Sequence, residues 1–142
     1  MKSKLMTENE IKRLGIKHEQ ELVKVFKDND FTACRLPGSA SRSPDVICGD
    51  GESIFVLEVK TTTSSLIKIK KRQIFTLKKF AVNLKAKPYL ALKFLNRSKW
   101  LFVDPNFLKI HEKSFSIDYN TAALNGFDIH KLISNELQLR LI

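Results

Sequence analysis

The sequence predicts an α/β protein in which a central mixed five-stranded sheet is flanked by helices. Three observations carry that expectation. Five short runs rich in β-branched and aromatic residues, 31–36, 46–48, 54–60, 89–95 and 100–103, read as strands. Two longer stretches, 8–28 and about 71–85, repeat their apolar residues at helical spacing instead. Turn residues separate the segments, and Gly49-Asp50-Gly51-Glu52 reads as a hairpin connection between the second and third strands.

A chain of 142 residues is expected to form one domain, and burying roughly 68–70% of its unfolded surface needs no second core. The expected organisation is a single domain over 1–142, with its core at about 8–104. The remainder, 105–142, is an extension that packs on the core or on another subunit. A composition of 43% hydrophobic and 28% charged residues suits a folded protein rather than a disordered one. No apolar run approaches about 18 residues, and the start Met1-Lys2-Ser3-Lys4-Leu5 is too short and polar for a secretory signal. An intracellular, cytoplasmic protein without membrane partners is therefore expected. Cys34 and Cys48 sit in apolar runs and read as buried, reduced thiols. His18, His111 and His130 are scattered without zinc-site spacing.

The first helix has the form of a capping box at Thr7-Glu8-Asn9-Glu10 and should run to about Asp28 or Asn29. Ile11, Leu14, Leu22, Val25 and Phe26 mark its apolar stripe. Glu19 lies on or beside that stripe, and read alone it is an edge-of-stripe carboxylate in water. Glu21 lies off it, a solvated partner for lysines. Gly15 costs a helix interior about 1 kcal/mol relative to Ala, so it is expected to leave room for another backbone or for a phosphate.

The strand 31–36 is followed by a loop of hydroxyls and turn residues, Pro37-Gly38-Ser39-Ala40-Ser41-Arg42-Ser43-Pro44. In the strand 54–60, alternation sets Val56, Glu58 and Lys60 on one face and Leu57 and Val59 on the other. Leu66-Ile67-Lys68-Ile69-Lys70 alternates as a short exposed strand with lysines on one face. Ile74, Leu77, Phe80, Ala81 and Leu84 then give the second helix its apolar side. Pro88 stops that helix, and Asp104-Pro105 closes the sheet. Phe115–Tyr119 reads as an edge strand, and Asp128 as the cap of a helix reaching Ile133 or beyond.

The net charge is +10, and it is unevenly placed: residues 1–103 hold 21 Lys/Arg against 10 Asp/Glu, whereas 104–142 carry a net −1. Between Lys68 and Lys87 there are eight Lys/Arg and no acid. Solvated helix faces usually mix signs, so one sign throughout favours a phosphate-facing surface.

Asp45 and Glu58 on neighbouring strands are hard oxygen ligands suited to Mg²⁺, with Lys60 on the face of Glu58 to orient water, serve as base or steady the phosphate. The bland alternative is an i, i+2 ion pair worth about 0–1 kcal/mol. Isolated charges in a central strand are costly, which favours the site.

Pro44-Asp45 followed by Glu58-Val59-Lys60 is the pattern of the PD-(D/E)xK nucleases. With Arg13-x-Gly15-x-x-x-Glu19-x-Glu21-Leu22-Val23 and Arg35-x-Pro37-x-Ser39 upstream, the stretch from Ile11 to Asp104 resembles the archaeal-type Holliday junction resolvases. The resemblance implies a restriction-endonuclease-like core and a homodimeric endonuclease. Using Mg²⁺, or Mn²⁺ as a substitute, it would nick two opposed strands of a four-way DNA junction symmetrically. It assigns Glu19 to the metal beside Asp45 and Glu58, places Ser39 at the scissile phosphate, and makes Lys60 the fifth catalytic position. Arg13 and Arg35 match basic positions, and Lys17, Arg42, Lys68, Lys70, Arg72 and Gln73 complete the expected DNA-binding set. The usual Arg-Lys-Gly reads Arg13-Leu14-Gly15 here, and variable loop length leaves Ser39, Ser41 and Ser43 as alternatives. Other readings are a restriction or repair nuclease on duplex or flap DNA, or a non-catalytic DNA-binding protein. The last would be expected to lack one of Glu19, Asp45, Glu58 and Lys60, and all four are present.

Overall fold

The structure, a computed structural model, describes residues 5–38, 42–97 and 99–141. Helix α1 spans Glu8–Lys27, with the Thr7 hydroxyl accepting from the Glu10 amide at 3.2 Å, as the capping box requires. Strands β1 (Thr32–Arg35), β2 (Val46–Gly49) and β3 (Ile54–Thr62) follow, then β4 (Leu66–Lys70) and α2 (Lys71–Leu84). Next come β5 (Lys87–Phe94) and β6 (Trp100–Val103). A 3-10 turn at Pro105–Phe107 leads to β7 (Lys109–Ile110), β8 (Ser114–Asp118), α3 (Tyr119–Asn125) and α4 (Ile129–Leu141).

The main sheet has five strands in the order β1-β2-β3-β5-β6. The pairs β1–β2, β2–β3 and β5–β6 are antiparallel, and β3–β5 is parallel, so the sheet is mixed as expected. Its central strands are covered on both sides, and alternation sorts them into two cores. Phe55, Leu57, Tyr89, Ala91 and Phe102 face Leu22 and Phe26 of α1 and Leu132 of α4. Val56, Leu90, Leu92, Leu101 and Val103 face Ile74, Leu77 and Ala81 of α2, together with Ile67, Ile69, Ile117 and Ala122. Truncating a fully buried aromatic such as Phe26 to Ala in such a core costs about 3–5 kcal/mol.

The segment from 105 onwards is thus built into both cores through Leu108, Ile117, Ala122 and Leu132. Asp128 accepts from the Lys131 amide at 2.8 Å at the start of α4, the cap expected there. Four expectations are corrected. The strand around Phe115–Tyr119 is not an edge: β8 is the middle strand of a second, three-stranded sheet, β4-β8-β7, so β4 is paired too. Cys34 is exposed while Cys48 is buried, because β1 is an edge strand whose alternation gives its inward place to Ala33. Ile11 is exposed and Leu14 half-buried, since α1 begins beyond the sheet and its packed face starts near His18. On α2, Ile74, Leu77 and Ala81 are buried as read, but Leu84 at the last turn is exposed.

Candidate active site

The pairing of β2 with β3 builds the site. Val46 lies opposite Leu57, so the preceding Asp45 stands across from Glu58, and its backbone is fixed on both sides. The Asp45 amide donates to the Leu57 carbonyl at 3.0 Å, and the Leu36 amide donates to the Asp45 carbonyl at 2.8 Å. One carboxylate oxygen of Asp45 accepts from the Val59 amide at 2.8 Å. Asp45 thus meets the Glu58-Val59-Lys60 run through the backbone itself.

Glu58 shares the face of Val56, the α2 side of the sheet, and is 4% exposed. Burial first, then the charge of Asp45, raises its carboxyl to about 9, well above the usual 4.5. Asp45 is also raised, again chiefly by burial, although the Val59 amide and a hydrogen bond from Glu58 hold it down. Both carboxyls of the pair are thus held above the ordinary carboxylate range, and they titrate as a unit.

Glu19 comes from α1 and is raised to about 7 by burial and by Asp45, with Arg35 opposing at 3.8 Å from its carboxylate. A glutamate at the edge of a helix stripe would titrate normally in water, so the solitary reading is replaced by a place in the site. Lys60 is half-buried on β3 and acts electrostatically on both Asp45 and Glu58.

These side chains share a cleft of about 470 Å³ that is also lined by Lys12, Gly15, His18, Gly38 and Gln73. A neighbouring cleft between Glu58 and the start of α2 is lined by Arg42, Ser43, Lys71, Arg72 and Gln73. Gln73 belongs to both, and its buried Oε1 has no hydrogen-bond partner among the described residues. Of the basic residues expected to meet DNA, Arg35, Arg42 and Arg72 line these clefts. Arg13, Lys17, Lys68 and Lys70 are exposed and line neither. Of the alternatives expected at Gly15, no neighbouring backbone is present among the described residues: a Cβ there meets nothing within 4 Å.

Among the loop serines, Ser43 is buried and closes the loop on itself, its hydroxyl accepting from the Gly38 amide at 2.9 Å. Gly38 has φ +85°, which favours glycine, and a Cβ there would lie 3.8 Å from Asp45 Oδ1. Ser39 and Ser41 lie outside the described residues. Glu21 is more than a solvated partner: half-buried, it pairs with His18 at 3.3 Å and Lys93 at 3.4 Å. Lys12 and His18 were missed by sequence reasoning. For Lys12 the signal was available, since Lys12, Gly15 and Glu19 recur at i, i+3 and i+7 on one helix face.

The donors fit a hard divalent cation. Asp45, Glu58 and Glu19 offer oxygen ligands; burial raises all three above the usual carboxylate range, with repulsion from Asp45 adding to it at Glu58 and Glu19, and positive charge would reverse this. Among the described residues, no three such side chains stand together as a finished metal cage.

A mixed sheet between helices, with Asp45 entering β2 and Glu58-Val59-Lys60 on β3, defines a nuclease of the PD-(D/E)xK class. The family model for archaeal Holliday junction resolvase (Hjc) matches residues 10–140. The crossover junction endodeoxyribonuclease Hjc of Methanocaldococcus jannaschii is 30% identical over 91% of this chain and 93% of the relative. The protein of the same name from Archaeoglobus fulgidus is 30% identical over 92% of this chain and 96% of its own. Crossover junction endodeoxyribonuclease Hje of Saccharolobus solfataricus is 26% identical over 91% of this chain and 96% of its own. The solved structure of A. fulgidus Hjc, a Holliday junction resolvase from an archaeal hyperthermophile, superposes with a TM-score of 0.76. It covers 83% of this chain and 93% of that one at 30% identity. This chain belongs to the archaeal Holliday junction resolvase family. Such a nuclease family implies dependence on a divalent metal. No helix of the described residues is long and apolar enough to cross a membrane.

Proposed function

We propose that the protein is a homodimeric, Mg²⁺-dependent endodeoxyribonuclease that resolves four-way DNA junctions by nicking two opposed strands. The observation that carries this is the meeting of three elevated carboxylates with Lys60 in one cleft, in a chain of net charge +10. Asp45, Glu58 and Glu19 would hold Mg²⁺, or Mn²⁺ in its place, and the ion supplies an acidified water and charge neutralisation at the phosphate. Asp45 is oriented by the Val59 amide and keeps its carboxylate aimed into the cleft. Lys60, two residues from Glu58 on the same face, orients the attacking water or steadies the phosphate. Gln73 offers its unpaired amide oxygen at the junction of the two clefts. Arg35, Arg42 and Arg72 hold flanking phosphates, contacts that position the DNA without reading its sequence. Ser39 is retained as the residue at the scissile phosphate on the strength of the Arg35-x-Pro37-x-Ser39 pattern.

Nicking two opposed strands requires two active centres, and one chain brings one Asp45–Glu58–Lys60 cluster, so the reading includes a homodimer. Phe75 and Val82, seven residues apart on α2 and 68% and 76% exposed, are apolar surface suited to a subunit contact. Sedimentation of the purified protein should give twice the 16.3 kDa chain mass. The functional test is cleavage of a synthetic four-way junction, linear duplex, flap and single strand under Mg²⁺ and in chelator. Paired nicks confined to the junction and abolished by chelator are expected; equal cutting of all four substrates would remove the junction reading.

A further inference from the structure

The second sheet carries a charged face that the cleavage site does not use. In its register Lys68 of β4 and Lys109 of β7 both lie opposite Ser116 of β8, one on each side. Ile67, Ile69 and Ile117 point into the core, so alternation sets Lys68, Lys70 and Lys109 on the opposite, outer face, with Ser116, 4% exposed, at its floor. The His111 ring closes the arrangement, with Nε2 at 2.6 Å from the Ser116 hydroxyl. Lys68, Lys109, His111 and Ser116 line one concave site of about 290 Å³.

Two strand spacings put the lysine stems roughly 9.6 Å apart, within about one Debye length at 0.1 M salt, so the two charges repel. Asp118 lines the same site; it caps α3, accepting from the Thr121 amide at 2.7 Å, and its charge offsets part of the repulsion on the Lys109 side. Glu112, in the turn between β7 and β8, is exposed to water. An anion seated over Ser116 would relieve the repulsion, and lysines, imidazole and hydroxyl are the groups that hold a phosphodiester. The face is also continuous with the active site along the chain. β4 runs directly into α2, whose Lys71, Arg72 and Gln73 line the cleft beside Glu58.

We propose that the outer face of the β4-β8-β7 sheet is a second backbone-binding surface, where Lys68, Lys109 and His111 around Ser116 hold phosphates of the DNA bound in the cleavage cleft. This rests on the junction-nuclease reading, and it brings the nearly neutral C-terminal portion into substrate binding through Lys109.

The test is the salt dependence of affinity for a synthetic four-way junction, measured in chelator so that no strand is cut. Each lost phosphate contact lowers the log–log salt slope by about 0.9. Lys109→Ala should lower the slope by that amount, so its affinity falls about 3.5-fold less than wild type between 50 and 200 mM salt. Lys109→Arg should keep the wild-type slope. Lys131→Ala, an exposed lysine on α4 away from this face, should keep it as well. An unchanged slope in Lys109→Ala, or an equal fall in Lys131→Ala, would overturn the proposal. If wild type binds the junction no better than linear duplex, the junction-selective reading fails instead, and the two failures are distinct.

Discussion

Two glutamates in this protein are buried to the same 4% exposure, and they are treated in opposite ways. Glu136 of α4 is met by what a buried carboxylate needs: Lys87 Nζ at 2.6 Å and the Ser53 hydroxyl at 3.0 Å. Glu58 is met by Asp45 and, farther off, Glu19, with Lys60 as the opposing charge. Both stand at β3, Glu136 beside the turn into the strand and Glu58 at its middle. The first pair pins α4 to the sheet, and the second is a cluster of like charges maintained at a cost to stability. A buried acid supplied with a cation by its own chain is architecture. A buried acid surrounded by other acids asks for a cation from outside.

The largest effect should come from breaking the second cluster. Asp45→Asn keeps the shape of the loop but removes a negative oxygen, and junction cleavage should fall by at least about a hundredfold. Junction binding, measured by gel shift in chelator, should persist. Undiminished cleavage would show that Asp45 lies outside the chemistry.

The two glutamates should then respond with opposite signs. Glu136→Gln weakens the contact to Lys87 and should lower stability by about 1 kcal/mol, a modest figure because Lys87 is half-exposed and can rehydrate. Glu58→Gln should raise the melting temperature in chelator at pH 8. The sign follows from linkage. The folded-state pKa of Glu58 is raised from 4.5 to about 9, so its contribution is present below the unfolded value and lost as pH rises. The neutral amide escapes that loss, so its advantage should be larger at pH 8 than at pH 5. Thermal melts of both variants at the two pH values check the pair, and equal signs would dissolve the comparison.

Added Mg²⁺ should stabilise wild type more at pH 8 than at pH 5.5, because Glu19, raised to about 7, and Glu58 must both release protons to bind it. A pH-independent stabilisation would place the ion elsewhere. Lys87→Ala should cost more than Glu136→Gln, about 1–3 kcal/mol, because it leaves a carboxylate whose side chain is 5% exposed without its cation and with the Ser53 hydroxyl as its remaining donor among the described residues.

Much of the frame was legible in the sequence because its signals are local. The capping box at Thr7, the alternation through Ile54–Lys60 and the apolar face at Ile74, Leu77 and Ala81 each specify an element without outside help. The second sheet was not legible as a sheet. β4 and β8 read as separate short strands, and nothing in either says that Lys68 pairs with Ser116, a contact decided by tertiary packing. Cys34 was misjudged for a related reason, since strand composition does not reveal which strand is the edge.

In the site, Asp45, Glu58 and Lys60 were legible because charge in a central strand is conspicuous. Glu19 was not conspicuous, because a glutamate beside a helix stripe is ordinary until the helix is laid against Asp45. Gln73 was expected to follow the active-site strands and lines both clefts, but its unpaired oxygen needed the fold.

The most direct test of the account is a Mn²⁺ titration followed by paramagnetic resonance, on wild type, Glu58→Gln and Glu136→Gln at pH 8. Wild type and Glu136→Gln should bind the ion alike, while Glu58→Gln should lose at least about tenfold in affinity. If Glu58→Gln binds as tightly as wild type, the buried cluster at Asp45 and Glu58 is not a cation site, and the contrast between the two glutamates has no functional meaning.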